Sequence, residues 1–72
     1  MQLDMQYVYE IYKQGSFSKA AEKLFISQPA LSMAVQKVEK SIGMPLFNRS
    51  TRPISLTDAG EIYIDAIEKQ RL

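Results

Sequence analysis

Apolar residues recur along this chain at helical spacing in four stretches, and the longest of them organises the rest. Residues 27–43 hold four aliphatic side chains in the i, i+4, i+7, i+11 pattern of a core-facing stripe. They are Leu31, Val35, Val38 and Ile42. Ser27 is a favourable N-cap, Pro29 fits the first turn, and Gly43 is a stop signal. The pattern predicts a helix with one buried face and one face available for contact.

Two shorter helices are predicted before this one. The first covers residues 3–13 and ends at Gln14 and Gly15; its apolar positions are Met5, Val8, Ile11 and Tyr12. The second has Ser18 as its predicted N-cap. Its apolar positions are Phe17, Ala20, Ala21 and Leu24. We interpret both as amphipathic helices that bury these positions in a common core.

The second and third helices follow each other so closely that they must cross at a steep angle. Only Phe25 and Ile26 lie between the second helix and the cap at Ser27. In a helix-turn-helix, a small residue of the first helix is followed ten positions later by a buried aliphatic residue of the second, and Ala21 and Leu31 fit this spacing. The pair is therefore predicted to be a helix-turn-helix.

A β-hairpin is predicted after the third helix. Phe47 and Arg49 alternate on one arm, Ile54 and Leu56 alternate on the other, and residues 50–53 form the tip. Arginines at the tip of such a hairpin suit a phosphate backbone or a minor groove. The open alternative for Arg49 is that it is tied to the fold.

A last helix is predicted from Asp58 onward, with Thr57 as its N-cap and Asp58 near the positive end of the helix dipole. Gly60 lowers helix propensity in the first turn, which suggests that another segment packs closely there. This helix carries apolar residues around much of its circumference and so is predicted to pack against a partner subunit. The candidate seam is Tyr63, Ala66, Ile67 and Gln70.

Composition excludes several classes of function. The chain has 72 residues, enough for one small domain, and contains neither cysteine nor histidine. Disulfides, imidazole bases and the usual zinc ligand sets are therefore ruled out. We see no nucleophile with a base and no phosphate-binding glycine loop, so no enzyme, metal or cofactor is predicted. Without an apolar run of membrane-spanning length or a signal peptide, the predicted location is cytoplasmic.

The formal net charge of +1 is unevenly distributed. Residues 13–57 carry seven basic and two acidic side chains, whereas residues 1–12 and 58–72 each have a net charge of −2. A basic block between acidic flanks fits a polyanionic partner.

The run GSFSKAAEKLFISQPALSMAVQKVEKSIGMPLFNRSTRPISLTDAGE, residues 15–61, resembles the N-terminal domain of LysR-type transcriptional regulators. The resemblance implies a mainly α fold with a small β-hairpin: a winged helix-turn-helix over residues 1–57, and the start of a linker and dimerisation helix over residues 58–72. It implies a homodimer on an inverted-repeat operator in double-stranded DNA. A small-molecule effector would bind a C-terminal domain that lies outside this sequence.

The resemblance also implies that the third helix enters the major groove and that the hairpin is the wing. The candidate DNA-binding residues are Ser18, Ser27, Gln28, Pro29, Ser32, Met33, Gln36, Lys37, Lys40, Arg49, Arg52 and Pro53. Short polar side chains suit base edges, and lysines suit phosphates. We therefore assign base contacts to Gln28, Ser32 and Gln36. Phosphate contacts are assigned to Ser18, Lys37 and Lys40.

Two features leave alternatives open. Met33 stands where many relatives carry a polar or basic side chain, so it either contacts a thymine methyl group or marks a lost contact. A winged-helix module that binds proteins instead of DNA is the alternative function. The polar face of the third helix and the basic hairpin favour DNA.

Overall fold

The computed structural model of the chain describes residues 2–70 and contains four helices and one antiparallel hairpin within them. The elements are α1 (Leu3–Gln14), α2 (Phe17–Leu24), α3 (Gln28–Ile42), β1 (Phe47–Asn48), β2 (Ser55–Leu56) and α4 (Asp58–Gln70). In the hairpin, Phe47 pairs with Leu56 and Asn48 with Ser55. The predicted order of helices and hairpin is confirmed.

Local capping chemistry sets most of the helix ends. The Ala30 amide donates to Ser27 Oγ at 3.2 Å at the start of α3. The Gly60 amide donates to Thr57 Oγ1 at 3.0 Å at the start of α4. Gly43 follows α3 with φ of 85°, in the left-handed region that glycine adopts without steric cost. These caps lie where the sequence predicts them.

The predicted cap of α2 is wrong. Ser16, not Ser18, is the N-cap, and its Oγ accepts the Lys19 amide at 3.1 Å. Ser18 lies inside the first turn and is exposed. Both serines have a suitable side chain, but only Ser16 has the extended backbone that a capping residue needs, because Phe17 already begins the helix.

The core lies where the first three helices meet α4 and the start of the hairpin. Its buried side chains are Val8, Ile11, Phe17, Ala20, Ala21, Leu31, Val35, Val38, Leu46, Phe47, Ile64 and Ile67. Two predicted core positions are wrong. Tyr12 is 42% exposed and lies beside the Tyr9 ring, and Ile42 is 44% exposed because it is the last residue of α3, beyond the packed region.

The turn between α2 and α3 is made by a residue in a conformation that side chains seldom adopt. Phe25 has φ of 58°, and its ring is 94% exposed. Its amide and that of Ile26 both donate to carbonyls at the end of α2, so the left-handed residue ends the helix and turns the chain. Phe25 thus occupies the place that glycine often takes in this turn.

Close packing at Gly60 brings α4 into the core. A Cβ added to Gly60 would collide with the Leu46 carbonyl oxygen, so the predicted close approach is confirmed. The Thr57 amide donates to that same oxygen at 3.0 Å, which ties the connector between α3 and β1, residues 44–46, to the start of α4. As a result Ile64 and Ile67 are 3% and 1% exposed.

The burial of Ile67 corrects the predicted dimer seam. Its side chain belongs to the core of its own chain and offers no surface to a partner. Because Ile64 and Ile67 of α4 belong to the same core as the other helices, the fold itself does not divide at residue 57. The predicted boundary between a DNA-binding unit, residues 1–57, and a dimerisation helix from residue 58 stays a prediction about function. Within residues 2–70, no helix is long and apolar enough to cross a membrane.

Candidate nucleic-acid interface

The outer face of α3 offers polar and flexible side chains to a partner. Its exposed residues include Gln28, Pro29, Met33, Gln36 and Lys40. Ser32 is half-buried, and Met33 is 67% exposed. Ser27 is also exposed, but its hydroxyl oxygen is already engaged in capping the helix. The face thus combines hydrogen-bonding groups near its start with a lysine toward its end.

A cleft of about 360 Å³ lies between the starts of α2 and α3 and the hairpin. Its lining includes five of the predicted site residues: Ser18, Gln28, Ser32, Arg49 and Arg52. The fold therefore brings together side chains that are up to 34 positions apart in sequence. We call this surface the wing cleft.

Lys37 lies away from the wing cleft. It lines a separate groove between α1, α3 and α4, together with residues such as Leu3 and Tyr63. In an α-helix, Lys37 and Gln28 are nine residues apart and point to opposite sides. The structure thus separates Lys37 from Gln28 and Ser32, which line the wing cleft.

Arg49 is held by three neighbours. Its Cζ lies 4.3 Å from the centre of the Phe17 ring, its Nη1 donates to Ser32 Oγ at 3.5 Å, and its Nη2 lies 3.8 Å from Glu39 Oε1. Glu39 is itself fixed, since its other carboxylate oxygen accepts the Leu46 amide at 2.7 Å. The geometry favours the alternative in which Arg49 is tied to the fold.

The tip of the hairpin is stabilised by its own hydrogen bonds. Arg52 is exposed, and its Nη1 donates to the carbonyls of Arg49 and Thr51 at 2.6 and 2.9 Å. Thr51 Oγ1 donates to the Pro53 carbonyl at 3.0 Å, and the Arg52–Pro53 peptide bond is cis. Both internal bonds of Arg52 use one nitrogen, which leaves its remaining donors for a ligand.

Sequence reasoning missed the residues that build the floor of the wing cleft. Gly15, Ser16, Phe17 and Ile54 also line it. The Ile54 amide donates to the Gly15 carbonyl at 3.0 Å and so attaches the hairpin to the loop before α2. No sequence pattern marks this bond, because it joins segments that are distant along the chain.

The exposed side of α4 differs from the predicted seam. Ile62 is 72% exposed, Ala66 and Gln70 are exposed, and Tyr63 is half-buried. Burial, together with the nearby negative charge of Asp4, raises the pKa of the Tyr63 phenol above its usual value. These four side chains form a mainly apolar strip that ends in the Gln70 amide and lies beside the buried face of the helix, and we call it the α4 strip.

The residues that the structure describes contain no group of three or more His, Cys, Asp or Glu side chains that could hold a metal ion. The chemistry of the wing cleft is that of hydrogen bonding and positive charge. Two consecutive helices, α2 and α3, joined by a short turn and flanked by a two-stranded hairpin define the class of the protein, a winged helix-turn-helix.

The comparisons with known proteins agree with this class. The family model described as bacterial regulatory helix-turn-helix protein, lysR family, matches residues 3–61. The chain belongs to this family. A probable RuBisCO transcriptional regulator of Cyanidioschyzon merolae is 45% identical over 62 residues, which cover 85% of this chain and 20% of that protein.

Solved structures show the same likeness. The complex of the BenM DNA-binding domain with catB site 1 DNA superposes with a TM-score of 0.89 at 35% identity, covering 97% of this chain and 79% of that one. Full-length BenM superposes with a TM-score of 0.84 at 37% identity, covering 99% of this chain and 24% of that one. The chain therefore has the DNA-binding domain of a bacterial transcriptional regulator, which is not an enzyme, and the predicted family and class are confirmed.

The chain is much shorter than the regulators that it resembles. It spans between 17% and 22% of the length of the curated relatives it matches.

Proposed function

We propose that the chain binds double-stranded DNA with α3 in the major groove and the hairpin on the adjacent backbone or minor groove. The observation that carries the proposal is the wing cleft, where Gln28 and Ser32 of α3 meet Arg52 of the hairpin. An α-helix with its side chains is ~10–12 Å wide, which fits a major groove ~12 Å wide. The similar BenM domain is known in complex with DNA.

The exposed side chains suggest a division of roles along α3. Gln28, Ser32 and Gln36 carry amide or hydroxyl groups that can pair with base edges. Lys40, one turn beyond Gln36, carries a flexible charge suited to a phosphate. Met33 is 67% exposed on α3, and its apolar side chain suits a thymine methyl group.

Ser18 and Arg52 extend the contact beyond α3. Ser18 is exposed in the first turn of α2, where amides without helical partners favour a phosphate. Arg52 is exposed at the hairpin tip, and its bonds to the Arg49 and Thr51 carbonyls hold the guanidinium in place. Pro53 lies beside it, also exposed. Lys37 is left as a peripheral phosphate contact because it faces another groove.

Self-association through the α4 strip completes the proposed function. The proposed dimer interface keeps Tyr63, Ala66 and Gln70 from the predicted seam and contains Ile62 in place of Ile67. Support comes from the 72% exposure of Ile62 on a helix whose buried face is already filled by Ile64 and Ile67. A two-fold dimer would place its recognition helices in successive or more widely spaced major grooves, which predicts an inverted-repeat operator. Bacterial DNA lies in the cytoplasm, where we place the protein.

The experiment compares Gln28→Ala with Lys40→Ala on a duplex selected from a randomised library and on random-sequence DNA. Gln28→Ala should cost about 1–3 kcal/mol on the selected duplex only, because a base contact is lost. Lys40→Ala should weaken both duplexes alike and reduce the slope of log K against log salt by about 0.9.

The matched control is Lys23→Ala. Lys23 is an exposed lysine near the end of α2 and lies outside the wing cleft. It should leave both the affinity and the salt slope unchanged. If Gln28→Ala weakens binding to selected and random DNA equally, as is expected of Lys40→Ala, the division between base and phosphate contacts is refuted. A parent chain without salt-dependent DNA affinity would refute the proposed function itself.

A further inference from the structure

Arg49 links the hairpin to both helices of the helix-turn-helix. Its guanidinium lies on the Phe17 ring of α2 at 4.3 Å and near the Ser32 hydroxyl and the Glu39 carboxylate of α3. Phe17 is 7% exposed and packs edge-on against Phe47 of β1 at 5.7 Å. Although the Arg49 side chain is 41% exposed, its guanidinium lies over a buried ring and beside a fixed carboxylate, and both contacts limit its freedom to turn toward a phosphate.

We propose that Arg49 is a positioning residue that makes Ser32 a hydrogen-bond donor toward DNA; this inference rests on the proposed function. A serine hydroxyl has one donor and two acceptor positions, whereas a guanidinium has donors only. Arg49 Nη1 donates a long hydrogen bond, 3.5 Å, to Ser32 Oγ and so approaches one of its acceptor positions. Its positive charge repels the hydroxyl proton, which therefore points away from Arg49 and toward the open side of the wing cleft.

Ser32 is placed to use that proton on a base. Its side chain is half-buried and lines the wing cleft beside Gln28. Within residues 2–70 its hydroxyl makes a hydrogen bond with Arg49 and with no other group. The proton is thus available to a ligand, and the nearby cation disfavours any second donor that approaches the oxygen.

This polarity selects among bases. Guanine N7 and O6, adenine N7 and thymine O4 accept hydrogen bonds in the major groove, whereas cytosine presents only the N4 donor. Ser32 oriented by Arg49 therefore accepts guanine, adenine or thymine at the position it faces and disfavours cytosine. Without Arg49 the hydroxyl can rotate and accept from cytosine, so the preference should relax.

The experiment measures base preference and salt dependence separately. The 72-residue chain and its Arg49→Met variant are each used to select duplexes from a randomised library, and affinities are then measured at several salt concentrations. Methionine keeps an unbranched side chain over Phe17 but removes the charge and the donors. If Arg49→Met does not fold, the neutral Arg49→Gln takes its place.

Arg49→Met should lower the discrimination against cytosine at one base pair by roughly two- to ten-fold, the range expected for one hydrogen bond. The salt slope should stay unchanged, because Arg49 neutralises no phosphate. Arg49→Lys, which keeps a cation beside Ser32, should keep the preference. In a Ser32→Ala background, Arg49→Met should no longer alter the base preference, because the hydroxyl that Arg49 orients is absent.

Arg52→Met is the matched control. It removes an arginine of the same hairpin that offers its charge to the backbone or minor groove, so it should lower the salt slope by about 0.9 without changing the preference at the base pair that Ser32 faces. The inference is overturned if Arg49→Met lowers the slope like Arg52→Met, or if it leaves the preference at every position intact. A parent chain that selects no duplex overturns the proposed function, and that result does not depend on Arg49.

Discussion

Replacing Ile62 with glutamine should weaken self-association of the chain without unfolding it. Ile62 is 72% exposed, and burying an isoleucine side chain completely contributes about 1.5–3 kcal/mol. Covering the exposed part in a dimer therefore corresponds to ~1–2 kcal/mol per copy. Since a two-fold interface contains Ile62 twice, the loss is ~2–4 kcal/mol, or a rise of about 30- to 700-fold in the dissociation constant.

Sedimentation velocity over a concentration series measures this change, with and without inverted-repeat DNA. Glu68→Gln is the matched control, because Glu68 is exposed on α4 outside the α4 strip. Ile67→Ala should act differently: Ile67 is 1% exposed, so its truncation should cost about 2–5 kcal/mol of folding stability. A parent that stays monomeric on inverted-repeat DNA, or an Ile62→Gln variant that associates as the parent does, would refute the proposed seam.

Two further predictions concern the backbone that positions the wing cleft. Gly60→Ala should lower the free energy of unfolding by about 1–3 kcal/mol in urea titrations, because its Cβ would collide with the Leu46 carbonyl; an unchanged midpoint would show that the connector can move aside. Phe25→Gly should raise the free energy of unfolding by up to ~1 kcal/mol, because glycine adopts the left-handed conformation without strain and Phe25 is 94% exposed. A clear loss of stability in the same titration would mean that the Phe25 ring stabilises the fold.

Much of the fold could be predicted from the sequence because helix formation is governed by local patterns. The stripe of Leu31, Val35 and Val38 identified the buried face of α3, and Ser27 and Gly43 marked its ends. The same kind of pattern located α1 and the hairpin. Such signals are readable because each depends on residues within a few turns of one another.

The sequence alone did not decide between equivalent local choices. Ser16 and Ser18 are both good capping residues, and only the folded backbone made Ser16 the cap of α2. Arg49 could serve DNA or the fold, and its contacts with Phe17 and Glu39, which lie 32 and 10 positions away in sequence, favour the fold. Residue type defines what a side chain can do, whereas its neighbours decide which use is made of it.

The orientation of α4 shows the same division most clearly. The sequence determined that this helix is apolar on several sides and that Gly60 admits a close neighbour. Only the tertiary structure showed that the neighbour is the Leu46 carbonyl, which turns Ile67 into the core and leaves Ile62 outside. Helical periodicity specifies which residues share a face, but which face is covered depends on contacts between segments far apart in the chain.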